Sequence, residues 1–285
     1  MKPHLSDPSP LTSVRVLTVT DLHQSKALGE ALLRAVQTHQ PDVVAMVGDT
    51  LDFSERRGSQ FITPECAEFL AALPVKALVF CRGNHDAEDW PIFVEAWPHE
   101  RRPLILLHGT AQVVGPLVII GFPCDTGWDG PWRGTLPKEG NFATLDHTRS
   151  GRKSLTSNPS RWLRPLLREH GAAARTLWLL HEPPMSQPIA HPVTCNPDWF
   201  RLVSAHQPLL TVSGHDHHTP GRNGVWHARV GHSVCLNVGQ GIETLHYTVL
   251  EFTFASDGPC VPTRVLVRAF PSGEQLDINP VQLVP

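Results

Sequence analysis

No excess of positive charge, no long apolar run and no paired cysteine spacing mark this chain. Its 24 lysines and arginines are outnumbered by 27 aspartates and glutamates, a net charge of −3. The basic face of a nucleic-acid binder is therefore missing, and so is the attraction of a polybasic segment to anionic membrane. No hydrophobic stretch approaches the roughly 20 residues that span a bilayer, and Met1–Val14 lacks the apolar centre of a secretion signal. The expected location is cytoplasmic. Six cysteines (Cys66, Cys81, Cys124, Cys195, Cys235, Cys260) fall at unrelated spacings. That pattern fits reduced, buried thiols better than a disulfide framework. Lysine is scarce, while the 27 prolines imply much ordered loop.

What is present is a recurring pattern. Apolar runs of strand length end, again and again, in oxygen and imidazole side chains. Val14–Thr20 leads to Asp21-Leu22-His23, and Val43–Val47 to Gly48-Asp49-Thr50-Leu51-Asp52. Val75–Phe80 soon reaches Gly83-Asn84-His85-Asp86, Thr176–Leu180 ends at His181, and Leu209–Ser213 ends in Gly214-His215-Asp216-His217. Between the first strands, Ser25–His39 carries Leu28, Leu32 and Val36 at helical spacing. Thr63-Pro64 reads as a cap and first turn of a helix running to Leu73. Strand, helix, strand, helix, strand predicts parallel βαβ units with functional loops at the carboxyl ends of the strands.

Apolar runs at Leu104–Leu107 and Val113–Phe122 have no convincing helix between them and suggest an antiparallel far side. Residues 123–158 are rich in Gly, Pro and polar side chains, with Trp128, Trp132 and Arg133 interleaved, and read as a substrate-side insert. Asn158-Pro159 opens a short helix bearing Trp162, Leu163, Leu166 and Leu167, with Pro165 inside it. The runs Val225–Val230, Ser233–Val238, Leu245–Phe254 and Arg264–Phe270 alternate like antiparallel strands. The expectation is α/β: two packed sheets with helices outside, one domain over residues 1–285, with residues 1–13 a loose lead-in.

The side chains gathered at the strand ends are Asp21, His23, Asp49, Asn84, His181, His215 and His217. Neutral nitrogens with a few carboxylates, one of them (Asp49) shared, suit two adjacent divalent cations. Asp21 with His23, and His215 with His217, are two residues apart, which on extended backbone puts both on one side. No cysteine belongs to the set, which argues against a closed structural zinc site. Mixed nitrogen and oxygen ligation suits Mn, Fe, Co, Ni or Zn. Two divalent cations set against Asp21, Asp49 and a bridging hydroxide leave a net charge of about +1 for a phosphate oxygen. His85, next to Asn84, is expected to donate a proton to the leaving oxygen, with Asp52 holding its ring.

The order Asp-x-His, Gly-Asp-x-x-Asp, Gly-Asn-His-Asp, His, Gly-His-x-His resembles the calcineurin-like metallophosphoesterase superfamily, and no motif position is missing between Asp21 and His217. The resemblance implies a four-layer α/β/β/α sandwich of two mixed sheets. It implies one cation held by Asp21, His23, Asp49 and His217 and a second by Asp49, Asn84, His181 and His215. It also implies attack by the bridging hydroxide, with His85 and Asp52 as an acid pair. The Gly-Asn-His-Asp and Gly-His-Asp-His forms are similar to the cyclic-nucleotide phosphodiesterase-like branch. The protein Ser/Thr phosphatases match less well, because Thr20 precedes Asp21 and Phe53-Ser54 follows Asp52.

The expected activity is hydrolysis of a phosphodiester or a small phosphorylated metabolite, with Asn84, Arg133 and His218 assigned to substrate contact. Two alternatives stand beside it: a nuclease of the DNA-repair type, disfavoured by the missing basic face, and a non-hydrolytic metal-binding scaffold, disfavoured by the complete ligand set. Asp86 and Asp216 sit inside motifs but are expected to point away and hydrogen-bond the loops.

Overall fold

Strict alternation of side chains along the strands builds the frame. The computed structural model describes residues 13–52, 60–86, 89–122, 160–171, 173–241, 244–255 and 261–280. In strands β1 (Ser13–Val19), β2 (Val43–Val47) and β3 (Ala77–Cys81), alternate residues face opposite ways. Val14, Val16, Val43, Ala45, Val47, Val79 and Cys81 point into the gap between two sheets. Leu17, Val19, Val44, Met46, Leu78 and Phe80 point outward onto helices. Those helices are α1 (Lys26–His39), α2 (Thr63–Ala71) and α3 (Trp90–Ala96).

The first sheet has the order β13-β12-β11-β1-β2-β3-β4, the second β5-β6-β7-β8-β10-β9. The remaining members of the first sheet are β4 (Ile105–Leu106), β11 (Tyr247–Phe254), β12 (Pro262–Phe270) and β13 (Gln275–Ile278). The second comprises β5 (Thr110–Val114), β6 (Leu117–Phe122), β7 (Thr176–Leu180), β8 (Leu210–Ser213), β9 (His227–Val230) and β10 (Ser233–Asn237). Leu117, Ile119, Leu177, Leu179, Leu210, Val212, Val234 and Leu236 meet the first sheet. Phe122, Trp178 and Leu180 pack on the far side against Leu163 of α4 (Ser160–His170) and Trp199, Leu202 and Val203 of α5 (Pro197–His206). The result is the expected α/β/β/α layering of two mixed sheets. Burying one such aliphatic side chain contributes roughly 1.5–3 kcal/mol, so this interior fixes the strand ends rigidly.

Several local expectations need correction. Ser13 is already in β1, not in a lead-in. Val113–Phe122 is not one run but a hairpin, β5 and β6, turning at Gly115-Pro116. β4 pairs parallel with β3, so the far edge of the first sheet stays parallel there. The residue capping α2 is Ile62, and Thr63 lies inside the helix, its hydroxyl engaged by Gln24 and Asp89. Helices α3, α5 and α6 (Thr219–Asn223) and strand β13 were not anticipated. Residues 123–158 lie outside the described residues. No described helix is long and apolar enough to cross a membrane.

Candidate metal centre

β1, β2 and β3 are neighbours in parallel register, as are β7 and β8 in the other sheet. All five motifs therefore leave from strand ends that the sandwich brings to one mouth. The backbone there is bent sharply. Asp21, His23, Gln24, Asp49 and His215 all have positive φ, between 46° and 61°. Among the described residues the other positive-φ positions besides glycine, Gln40 and Gln207, close helices α1 and α5. Such a conformation costs an ordinary residue about 1–3 kcal/mol, and it tends to gather at functional sites.

Hydrogen bonds between loops hold the bends. Asp21 N donates to Gly48 O (2.9 Å), His23 N to Asp49 O (3.0 Å) and Gln24 N to Thr50 O (3.0 Å). Gly214 N donates to His181 O at 2.9 Å, joining the two motifs of the second sheet. Glycine is required at two of these joints. Gly48 has φ 90° and its α-carbon faces the His181 ring, while a β-carbon on Gly214 would strike Thr20 and Asp21.

The floor of the mouth is formed by Asp21, Asp49 and His181, all but sealed from solvent. Asp21 Oδ2 accepts from the Thr20 hydroxyl (2.6 Å) and from His215 N (3.1 Å). Its Oδ1 is left facing His217 Nε2 at 3.0 Å and His23 and His181 Nε2 at 4.0 Å. Asp49 Oδ1 accepts from His85 N (2.8 Å), and Oδ2 faces His181 Nε2 at 3.2 Å. Asn84 Oδ1 lies 3.1 Å from the same Nε2. Nδ1 of His181 faces the Val47 carbonyl at 2.9 Å, an acceptor only, so that nitrogen carries the hydrogen and directs Nε2 into the cluster. His215 stacks edge-on to His181, ring centres 5.1 Å apart. Among the described residues ligand-type atoms converge in three groups: Asp21 with His23 and His217, Asp49 with His181 and His215, and, toward the rim, His23 with Asp52 and His85.

The electrostatics follow from packing two carboxylates and four imidazoles together. Burial pushes Asp21 toward protonation, but the hydrogen bond from His217 and the charges of His181, His217 and His23 outweigh it and hold the carboxyl well below its usual range. Burial likewise opposes Asp49, and His181 overcomes it. Burial disfavours charge on His181 too, yet Asp49 and Asp21 lift that imidazole to about 10. His23 and His215 are depressed, mainly by burial.

Around this floor sits a more open rim. His85, with its side chain 35% exposed, places Nδ1 3.2 Å from Asp52 Oδ1. His23 Nδ1 is 3.8 Å from the same oxygen. Asp86 is fully buried and accepts from Leu51 N and Gly83 N, both at 2.7 Å, tying the second motif to the third. Burial and the charge of Asp49 push its carboxyl up to about 7. Asp216 turns away from the floor and accepts from His191 N, Thr194 Oγ1, His218 N and both N and Oγ1 of Thr219. Both aspartates thus bond the loops, as their positions suggested.

The seven expected ligands and the pair His85 and Asp52 come together. His218 precedes α6, and its ring centre is 6.1 Å from that of His217, one of the seven. Arg133 lies outside the described residues. Gln24, Gln60 and Gln240 also reach the site. Gln240 Nε2 donates to Thr20 O at 2.8 Å, joining the chain after β10 to the end of β1. Gln24 sits beside the Asp-x-His motif, which was a signal available to find it; Gln60 and Gln240 had none. Cys66, Cys81 and Cys235 are buried free thiols and Cys195 is a half-buried one.

The sequence model of the calcineurin-like phosphoesterases matches residues 14–219. None of the curated proteins matches. Among solved structures, the protein TT1561 of Thermus thermophilus is similar at 13% identity and TM-score 0.56, covering 94% of this chain and 100% of that one. A dimetal phosphatase from Danio rerio is similar at 13% identity and TM-score 0.56, with 93% and 98% covered. The calcineurin-like phosphoesterase YfkN from Bacillus subtilis is similar at 10% identity and TM-score 0.50, with 96% and 93% covered. At such identities the likeness is one of fold.

Proposed function

The chain belongs to the calcineurin-like phosphoesterase family of phosphoric ester hydrolases, and on that premise we propose that it cleaves a phosphodiester or a small phosphorylated metabolite with the help of two divalent cations. Asp21, His23, Asp49 and His217 would hold one cation; Asp49, Asn84, His181 and His215 would hold the other. The observation that carries this reading is the convergence on a sealed floor of two carboxylates with imidazole nitrogens aimed at them. Buried like charges are costly unless something positive joins them. The donor set is nitrogen and oxygen without sulfur, and His181 is steered by a carbonyl on its far nitrogen, as metal-binding histidines commonly are. The residues therefore fit the group.

When bound, such cations polarise a phosphoryl oxygen and bring the ionisation of water near neutral pH. The protein's own side chains do the rest. Asp49, shared between the two proposed ligand sets, would set the spacing of the two sites. Asn84 presents its amide at the edge of the floor, where a phosphoryl oxygen would lie. His85, on the exposed rim, gives a proton to the departing oxygen, and Asp52 fixes its ring so that Nε2 is the atom that donates.

The test is a panel of phosphate monoesters, diesters and cyclic nucleotides offered to the Mn-loaded protein. Turnover of small esters that stops on chelation and returns with Mn is expected. Tight binding of two cations with no turnover would favour the scaffold. Cleavage confined to DNA, weakening steeply with salt, would favour the nuclease.

A further inference from the structure

Gln60 lies eight residues beyond Asp52 in sequence and belongs to none of the motifs. Its backbone is pinned at the start of α1: residue 60 forms a bridge with Ser25, and Phe61 N donates to Gln24 O at 2.8 Å. The side-chain amide then reaches back into the site. Nε2 donates to Asp52 Oδ2 at 3.1 Å and to the His23 carbonyl oxygen at 3.0 Å. Both partners only accept, so both amide hydrogens are committed and the orientation of the amide is settled by them. Gln60 Oε1 is buried with no hydrogen-bond partner among the described residues, so the side chain keeps its two donors in place while that acceptor goes unmet there.

Among the described residues Asp52 is held at three points, one on its backbone and two on its carboxylate. Its own N–H donates to Gln24 Oε1 (3.0 Å), Gln60 takes Oδ2, and Oδ1 is left to face Nδ1 of His85 at 3.2 Å. Free rotation about the carboxylate would let His23 Nδ1, 3.8 Å away, compete for the same oxygens. We propose that Gln60 is a positioning residue for proton donation: it turns the Asp52 carboxylate toward His85 and, through the His23 carbonyl, ties that pair to the metal-binding floor. This rests on the acid role proposed for His85.

A general acid matters in proportion to the difficulty of the departure, so the loss in a variant should grow with leaving-group basicity. Gln60→Ala, and Gln60→Met, which keeps the side-chain volume, are each compared with the wild type as Mn-loaded full-length protein. The substrates are methyl aryl phosphates running from para-nitrophenyl to unsubstituted phenyl, with metal content measured alongside. Both variants are expected to retain their metals. On the phenyl ester they should lose roughly 10–100-fold in kcat, and at least about tenfold less on the nitrophenyl ester. Adding either substitution to His85→Ala should steepen the leaving-group dependence no further. An equal loss across the series, loss of metal, or a fresh loss on the His85→Ala background would overturn the proposal. If His85→Ala itself shows the wild-type leaving-group dependence, the acid role has failed and the positioning role with it. That pattern is distinct from failure of Gln60 alone.

Discussion

Nε2 of His181 stands 3.2 Å from Oδ2 of Asp49, while Nδ1 of the same ring is fixed on the Val47 carbonyl at 2.9 Å. The imidazole cannot turn without giving up one of these contacts, and both residues are sealed from solvent. The ring therefore belongs to the floor that would hold metal, whereas His85 belongs to the rim.

The two histidines should separate cleanly in mutagenesis. His181→Ala is expected to lose metal and activity together. His85→Ala should keep its metal and lose roughly 10²–10⁴ in turnover, most for substrates with poor leaving groups. Metal content of the dialysed variants, with rates on two esters, checks both.

Asp49 shares a ligand group with His181 and His215, and its charge acts as well on His23 and His217 of the other. Asp49→Asn keeps the shape and removes the charge. Calorimetric titration with Mn should show both sites weakened at once, not one alone.

Gly48 is expected to resist substitution. Its φ of 90° disfavours any side chain, and a β-carbon would run into His181. Gly48→Ala should destabilise the fold by at least about 2 kcal/mol, measured by denaturant unfolding, and should displace His181 enough to lower metal affinity. An alanine variant that unfolds like the wild type would show that this approach is looser than the geometry indicates.

His108 predicts a pH effect away from the metal-binding floor. It is almost wholly buried beside Trp90, and burial, helped by Arg82, holds its imidazole well below the ordinary value. The folded protein keeps it neutral, while the unfolded chain takes up a proton below about pH 6.5. Stability contributed by the neutral ring is therefore complete above that pH and is lost as pH falls toward the folded value. Unfolding curves at pH 7 and pH 5 should show a smaller loss of stability for His108→Phe than for the wild type.

The sequence carried the site because each ligand follows an apolar run whose length and β-branching mark a buried strand, and parallel strands deliver their ends to one edge. The outer faces were harder. α3 buries Trp90 and Phe93, with Trp97 packed just past its end, but at seven residues it is too short for periodicity to stand out. α5 is announced by Asn196-Pro197, with the Asn196 side chain capping Asp198 N, but the surrounding prolines mask that signal. Gln60 and Gln240 could not be found that way, since their partners are set by which loops meet and not by neighbours in sequence. The left-handed backbone at Asp21, Asp49 and His215 was equally hidden: it arises where the loops cross, and nothing local demands it.

The measurement that bears most directly on the proposed chemistry is the number of transition-metal ions bound per chain after saturation with Mn and removal of the excess. Two per wild-type chain, with neither held tightly once Asp49 is asparagine, is the expected result. One ion or none in the wild type, or two ions held undiminished by Asp49→Asn, would contradict a dinuclear centre built on that carboxylate.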